Sequence, residues 1–319
     1  MMNIPLNRAT VMELSGNSAT APAEGFIVSS GAKIHYLDWQ GSGKEAHFLH
    51  ANGFCSGTYA PLLKFLTRDL RIIASDIRGH GDSDSLGIKR ISHWDIFVDD
   101  LKNVVEQTMS PPVIGIGHSL GAVTTYLAAA KHPHLFSKII LIEPVILPRR
   151  ILWLICLMKL FGIAGLIPHA RIARKRKRIF ENKDAAFLRF ASGRGAFKTW
   201  SKDFIHAYLE CGILEKDDEK AVLKCNPEIE AQIFESVPLD VWKYAGKIKC
   251  PVLAIRGRHS ESFYADAASD LKKYIPDYEL ETVPNAGHFV PMEKPVECAK
   301  IITHFISRQL ITDLIIPDK

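Results

Sequence analysis

The sequence has few cysteines and no pair of them at the spacing of a metal site or a redox motif. Its 319 residues contain six cysteines, Cys55, Cys156, Cys211, Cys225, Cys250 and Cys298. Because they lie far apart, with no Cys-x-x-Cys pair among them, the spacing predicts neither a disulfide framework nor a zinc site. We therefore expect a reducing compartment such as the cytoplasm, in which cysteines remain thiols.

A second absence is that of an apolar run long enough to cross a membrane. The most apolar run, residues 151–167, is shorter than the roughly 20 residues that a span requires, and it contains Lys159. The first 25 residues have no apolar stretch of the length found in secretory signals. These features exclude a polytopic membrane protein, and they predict that residues 151–167 form a helix on the surface or in a cap.

Acidic residues are absent between Glu143 and Glu181, whereas nine lysines and arginines lie there, against a net charge of +5 for the whole chain. Because the remainder is not basic and no stacking motif accompanies the cluster, we expect no binding of nucleic acid. An apolar run followed by cations, as in residues 151–178, is compatible with peripheral contact with an anionic membrane or with admission of a lipophilic acyl chain. Packing on the sheet with a solvated basic face is the alternative.

Short apolar runs alternate with longer helical patterns, which is typical of βαβ units and a largely parallel sheet. The pattern predicts eight strands, at residues 26–29, 33–39, 47–50, 71–75, 113–117, 138–142, 252–256 and 279–283. No strand pattern occurs between about residue 147 and residue 244, where the pattern is helical. The sequence therefore predicts a sheet domain that is interrupted by a helical insert.

The strongest chemical signal is Gly117-His118-Ser119-Leu120-Gly121, between a predicted strand and a helical pattern. A serine on so sharp a turn lies in strained backbone, and a Cβ at either glycine would collide with neighbouring chain. Ser119 then lies at a helix N-terminus, where free N–H groups favour negative charge on a reacting oxygen. We expect the side chain of His118 to point away from Ser119. The motif predicts a nucleophilic serine.

Three other motifs follow predicted strands. The sequence His-Ala-Asn-Gly-Phe at residues 50–54 follows the third strand, Asp-x-Arg-Gly-x-Gly-x-Ser at residues 76–83 follows the fourth, and Asn-Ala-Gly-His-Phe at residues 285–289 follows the last. In this order the four motifs resemble those of the α/β-hydrolase family, from about residue 26 to residue 305. The resemblance implies a mostly parallel eight-stranded sheet flanked by helices, with an inserted helical cap.

The resemblance also implies roles for individual residues. Ser119 would be the nucleophile, His288 its general base, and the backbone amides of Phe54 and Leu120 the donors of an oxyanion hole. The turn at residues 76–83 would be structural, with no direct chemistry. The loop that presents Phe54 would be supported by His50, Asn52 and Gly53.

The acid of the catalytic triad is where the sequence departs from the family. The usual Asp is replaced by Ser260, three residues after Gly257, and serine alone cannot stabilise an imidazolium electrostatically. Glu143 ends the sixth strand, whose carboxyl end opens into the same site, and Glu261 stands one residue out of register. We favour Glu143, with Glu261 as the alternative and an incomplete triad as a third reading.

By this resemblance the chain divides into a lead-in at residues 1–24, a core domain at residues 25–146 and 246–319, and a cap at residues 147–245. It implies a serine hydrolase that cleaves a small-molecule carboxylic ester through an acyl-enzyme on Ser119. Hydrolysis of a carbon–carbon bond, cleavage of a thioester, and a ligand-binding module with vestigial turnover remain alternatives. No motif implies a metal or a cofactor, and none specifies an oligomeric state.

Overall fold

The computed structural model describes residues 21–85, 90–193 and 195–315. The predicted lead-in lies outside the described residues as far as residue 20, and the first strand begins at Ala23, within the range predicted for the lead-in. The core domain is built on one eight-stranded sheet, and all eight predicted strands are present in it. They are β1 (Ala23–Ser29), β2 (Ala32–Asp38), β3 (Lys44–Leu49), β4 (Leu70–Ser75), β5 (Val113–His118), β6 (Phe136–Ile142), β10 (Val252–Gly257) and β11 (Tyr278–Val283).

The strand order in this sheet is β1-β2-β4-β3-β5-β6-β10-β11. β1 pairs with β2, and β2 with β4, in antiparallel register, whereas β4, β3, β5, β6, β10 and β11 are parallel. The carboxyl ends of β3, β5, β6, β10 and β11 therefore lie along one edge of the sheet. This edge is where ligands bind in open parallel sheets.

Helices cover both faces of the sheet, so apolar side chains of the inner strands are buried on both faces. Ile139 and Leu141 of β6 belong to one core cluster and Ile140 and Ile142 to another, because successive side chains of a strand point to opposite faces. The core helices are α1 (Ala60–Leu66), α2 (Asp95–Thr108), α3 (Leu120–Lys131), α9 (Ala265–Leu271), α10 (Val290–Glu293) and α11 (Pro295–Ile315). The first cluster includes residues of α2 and α3, and the second includes residues of α1 and α11.

We call the segment between β6 and β10, for which the sequence predicts a cap, the cap. Its helices are α4 (Arg149–Leu160), α5 (Pro168–Arg174), α6 (Lys183–Ala191), α7 (Lys202–Gly212) and α8 (Pro227–Glu235). The prediction of an insert without strands is wrong, because β7 (Ile179–Phe180), β9 (Ala221–Leu223) and β8 (Ile213–Glu215) form an antiparallel sheet. Strands of two or three residues are too short to show an alternation of apolar and polar residues.

A disulfide bond joins Cys55, next to the 3₁₀ helix Ser56–Tyr59, to Cys211 in α7. The prediction that the cysteines form no disulfide is therefore wrong for this pair, and the inference of a reducing compartment loses its basis. The two cysteines are 156 residues apart, and they meet only because the cap folds back over the core. Gly57 makes the approach feasible, since a Cβ there would lie 2.9 Å from that of Cys211.

Within the described part of the chain, no helix is both long enough and apolar enough to cross a bilayer. Residues 151–167 instead form most of α4, a turn and the 3₁₀ helix Ala164–Leu166. Only Leu152 and Ile155 of α4 are buried. The predicted surface or cap helix is thus present, with most of its apolar side chains directed outward.

Candidate active site

Ser119 occupies the turn between β5 and α3 at the carboxyl edge of the sheet. Its backbone is strained, with φ of 55° and ψ of −112°. The turn is held by a hydrogen bond of 2.9 Å from the Ser119 amide to the Ile142 carbonyl. A Cβ on Gly117 would overlap the backbone of Gly121, and a Cβ on Gly121 would overlap the carbonyl of Leu49. The glycines therefore permit the close approach that the sequence predicts.

Three side chains from separate loops meet at this turn. Ser119 Oγ lies 3.0 Å from His288 Nε2, and His288 Nδ1 lies 3.1 Å from Glu143 Oε2. Because the carboxylate can only accept, Nδ1 is assigned the proton and Nε2 is left to accept the serine hydroxyl. The arrangement has the order nucleophile, base and acid that activates a serine.

Glu143 is completely buried, and several hydrogen bonds hold it in place. It follows β6 with a positive φ of 49°, and its amide donates to the Ile255 carbonyl at 2.8 Å. Its Oε1 accepts the Gly257 amide at 2.6 Å, and its Oε2 accepts the Ser260 hydroxyl. These bonds and that from His288 satisfy a carboxylate whose burial is otherwise costly.

Ser260 stands at the position of the usual acid and hydrogen-bonds to Glu143. Its hydroxyl accepts the amides of Ser262 and Phe263, at 3.2 and 3.0 Å, while it donates to Glu143. Glu261 is exposed, and among the described residues no hydrogen bond joins it to His288. The structure thus brings Glu143 to the histidine and leaves Glu261 outside; the role of Glu143 as the acid stays a prediction.

The loop predicted to form the oxyanion hole lies beside the serine. Leu120 begins α3, so its amide is among those without an intrahelical acceptor. The Phe54 amide makes a long bond of 3.3 Å to the Ala51 carbonyl, a contact that a substrate oxygen would compete with. That carbonyl also accepts Nδ1–H of His50 at 2.7 Å, and the Ile77 amide donates to the other ring nitrogen at 2.8 Å. The ring of His50 therefore holds the loop through hydrogen bonds to backbone groups.

Asn52 and Gly53 connect this loop to the cap. The Asn52 amide group donates to the Glu230 carbonyl at 2.9 Å. Gly53 has φ of 82°, and a Cβ there would lie 2.8 Å from the Arg176 guanidinium. Arg176 donates to Glu230 Oε2 and to the Tyr208 hydroxyl, both at 2.6 Å. Although burial opposes the charged form, Tyr208 and Glu230 raise the pKa of Arg176, so the cation beside the loop is retained and already paired.

The ring of His118 hydrogen-bonds to Tyr59 and to the His288 backbone, and it supports the base in a way that the sequence does not reveal. Burial lowers its pKa well below the usual value, which keeps the ring neutral. Its Nε2–H donates to the His288 carbonyl at 2.9 Å, so Nδ1 accepts the Tyr59 hydroxyl at 2.7 Å. Tyr59 in turn accepts the Ala51 amide at 3.1 Å. A chain of bonds therefore joins the oxyanion loop to the backbone of the histidine.

Aromatic side chains of the cap pack against the predicted oxyanion loop and against the residue that follows His288. The ring of Phe54 lies 5.0 Å from Trp200 and 6.3 Å from Phe197, measured between centroids, and Trp200 lies 5.9 Å from Phe289, next to His288. Trp200 is buried, and within the described residues its Nε1–H has no hydrogen-bond partner. The aromatic cluster beside Phe54 therefore contains a buried donor, Trp200 Nε1–H, that has no partner among the described residues.

The turn at residues 76–83 is held by buried polar contacts. Asp76 accepts the Ser56 amide at 2.7 Å, the Asp82 amide at 3.0 Å and His35 Nδ1–H at 2.8 Å. Although burial would raise it, the pKa of Asp76 is lowered by His35, by the charge of His50 and by the Ser56 amide. His35, Asp76 and Asp82 lie close enough together to hold a cation, but the Asp76 oxygens already have donors. The turn is explained without a metal.

The chain is similar to known hydrolases in sequence and in fold. The 2-(acetamidomethylene)succinate hydrolase of Mesorhizobium japonicum is 28% identical over 271 residues, 84% of this chain and 89% of that protein. The sn-1-specific diacylglycerol lipase of Mus musculus is 25% identical over 244 residues, 74% of this chain and 72% of that protein. A solved structure of E-2-(acetamidomethylene)succinate hydrolase matches with a TM-score of 0.75 and 25% identity, over 90% of this chain and 99% of that one.

The model of a single protein family matches residues 48–301, which include all four motifs and the whole cap. The eight-stranded sheet with its parallel inner strands and the serine at the turn after β5 agree with that match. The chain belongs to the alpha/beta hydrolase family.

Proposed function

We propose that this hydrolase cleaves a carboxylic ester through an acyl-enzyme on Ser119. The observation that carries the proposal is the continuous hydrogen-bonded chain from Ser119 Oγ through His288 to Glu143. A serine hydroxyl is a poor nucleophile near neutral pH, and a histidine within hydrogen-bond reach is the base that it requires.

In the acylation step, Ser119 Oγ attacks the ester carbonyl while His288 Nε2 takes its proton. The negative charge on the carbonyl oxygen is stabilised by the amides of Leu120 and Phe54, and the imidazolium by Glu143. Collapse of the tetrahedral intermediate breaks the bond to the alcohol, which leaves with the proton from His288. Water, deprotonated by His288, then releases the carboxylic acid and restores Ser119.

The lining of the site favours an uncharged, lipophilic acyl group. Phe197, Trp200 and Phe289 surround the oxyanion loop, and such rings bind apolar chains well. The similar Mesorhizobium enzyme is named for a succinate, whose carboxylates require cations. Here Arg176, beside that loop, is neutralised by Glu230. The named diacylglycerol lipase is thus the better guide to the substrate class.

The test combines covalent labelling with a substrate series. A fluorophosphonate probe is expected to label Ser119, as located by peptide mass mapping, and Ser119→Ala is expected to remain unlabelled. p-Nitrophenyl esters from acetate to octanoate, a matched thioester and 2-(acetamidomethylene)succinate are then compared by kcat/KM. A preference for longer acyl esters supports the proposal.

Other outcomes each exclude part of it. Labelling with faster turnover of the thioester makes the protein a thioesterase, and labelling without turnover of any ester leaves carbon–carbon cleavage or ligand binding. Absence of labelling from the folded protein contradicts an activated serine. Preference for the succinate derivative would overturn the assignment of a lipophilic acyl group.

A further inference from the structure

The amphipathic pattern of α4 is inverted. Its two buried residues, Leu152 and Ile155, lie on the face that contacts the rest of the protein. Lys159 follows on that face, seven residues after Leu152, and its ammonium donates to the Val237 carbonyl at 2.8 Å. The only cation of the apolar run therefore points inward. Apolar side chains point outward, which is the reverse of an ordinary surface helix.

These outward side chains continue beyond α4 to form one apolar surface. Trp153, Leu160 and Phe161 are exposed to 70%, 76% and 72%. The 3₁₀ helix Ala164–Leu166 packs against both α4 and α5, so the chain carries the surface from one helix to the next. We call this the outward apolar surface, and it comprises Trp153, Leu154, Leu157, Leu160, Phe161, Ile163, Leu166 and Ile172. Contiguous exposed apolar surface marks an interaction site.

Among the described residues that flank this surface, the charges without an ion-pair partner include three cations. Arg150, Arg174 and Arg176 are paired with carboxylates of the core and of α8, namely Asp266, Glu228, Glu235 and Glu230. Arg171, Lys175 and Lys177 are exposed, and among the described residues none of them forms an ion pair. No acidic residue lies between positions 144 and 180. The carboxylates near the outward apolar surface, Glu235 beside Gly165 among them, are thus already paired with arginines, and the three unpaired cations give its border a net positive charge.

We propose that the outward apolar surface docks on an anionic lipid bilayer, with Arg171, Lys175 and Lys177 against the headgroups. Apolar side chains that enter the interface beside cations are the features of a peripheral membrane site, and Trp153 is of the type enriched at that depth. A symmetric dimer would place the same surface of two copies together, cations against cations. A bilayer supplies the negative charge that a second copy lacks.

The first experiment measures binding of the full chain to vesicles by sedimentation. Vesicles of phosphatidylcholine with about 30% phosphatidylserine are expected to bind the protein at low salt, and vesicles of phosphatidylcholine alone to bind it at least tenfold more weakly. The emission of Trp153 is expected to shift to the blue and to be quenched by brominated lipid. Trp153→Phe should remove most of that response while binding persists. Equal binding to both vesicles, or none, overturns the proposal.

The apolar part is tested with Trp153→Ser, Leu157→Ser and Phe161→Ser combined. We expect binding to anionic vesicles to fall more than tenfold. The matched control combines Phe26→Ser and Val28→Ser in the edge strand β1, which are exposed to 54% and 61%, and it should bind as the unaltered protein does. Equal loss in both variants would show non-specific adsorption and overturn the proposal.

The charged part is tested with Lys175→Gln and Lys177→Gln together. One cation near such a surface contributes about fivefold in binding, so the pair should lower it about 25-fold. Lys44→Gln with Lys249→Gln is the control, since both lysines are exposed where β3 and β10 begin, at the edge opposite the cap. If the Lys175 and Lys177 variant loses no more binding than this control, the proposed orientation of the surface toward the bilayer is contradicted.

Two readouts keep the result interpretable. Thermal unfolding of each variant should match that of the unaltered protein, and so should hydrolysis of a short water-soluble ester, because none of these residues belongs to the site. Vesicle sedimentation does not depend on turnover, so docking and ester hydrolysis stand or fall separately. A dimer in light scattering that the triple apolar variant dissociates, without vesicle binding, would assign the surface to a second copy and overturn the lipid proposal.

Discussion

The helices α3 and α4 have the same length and opposite environments. Each has twelve residues, and each carries mostly apolar side chains. Eleven residues of α3 are buried, whereas α4 buries two. α3 lies between the sheet and its neighbours α2 and the 3₁₀ helix Val241–Lys247, and α4 has protein on one side only. The hydropathy of a helix alone therefore does not determine whether the rest of the protein covers it.

The difference extends to the polar groups of the two regions. In the core, the buried polar side chains near the serine have partners that fix their orientation, as Glu143 has in Gly257 and Ser260. The cap contacts the core through the disulfide at Cys55, through ion pairs such as that of Lys224 with Asp82, and through packing of α7 against the 3₁₀ helix Ser56–Tyr59. We infer that the core sets the chemistry and that the cap sets access and docking.

The largest effect is expected from Glu143→Gln, which tests whether the core alone supplies the chemistry. The amide keeps the size of the side chain but removes the charge that stabilises the imidazolium. A loss in kcat on the order of 10⁴-fold is expected, as for other triad acids, measured with the best p-nitrophenyl ester. Glu261→Gln is the matched control and should retain turnover. If Glu261→Gln is the inactive variant, the acid has been assigned to the wrong loop.

Cys211→Ser tests how much the cap depends on its covalent link to the core. Loss of a bond that closes so long a loop is expected to lower the free energy of unfolding by about 2–5 kcal/mol. Urea denaturation measures the effect, with Cys156→Ser, an exposed free cysteine, as the control. If both variants unfold at the same urea concentration, the disulfide contributes nothing to holding the cap.

The core was more accessible to sequence reasoning than the cap for physical reasons. The eight strands, the turn at Ser119 and the loop of His288 are local patterns, and each is encoded by residues that are adjacent in the sequence. The Cys55–Cys211 pair, the short strands of the cap and the Tyr59–His118 support arise only when distant segments meet. The preference for Glu143 over Glu261 rests on the order of the strands in the sheet. That order is a property of the fold and not of residue spacing.

Tyr59→Phe probes the support behind the histidine and gives a smaller effect. It leaves the Ala51 amide and His118 Nδ1 without their buried partner, which is expected to cost about 1–3 kcal/mol in stability. We also expect kcat to fall about tenfold, since both the oxyanion loop and His288 lose a positioning contact. Tyr126→Phe is the control, because Tyr126 is equally buried and its hydroxyl donates to Val241, away from the site.

The two tyrosine variants separate a positioning role from a structural one. Similar losses of stability with a loss of kcat in Tyr59→Phe alone support the chain of bonds. A loss of kcat in both would show that any weakening of the core impairs turnover. Unchanged kcat in both would restrict the Tyr59 hydroxyl to a packing role.

The smallest effect is predicted for α4 itself, and it returns to the comparison of the two helices. Leu154→Ala removes an apolar side chain that is 59% exposed, so the free energy of unfolding should change by no more than about 0.5 kcal/mol. The same change at Leu127 of α3, which is 2% exposed, should cost about 2–5 kcal/mol because it leaves a cavity. Urea denaturation of both variants measures the contrast. If Leu154→Ala costs as much as Leu127→Ala, the outward face of α4 is covered by protein in solution, and it is then not free to meet a bilayer.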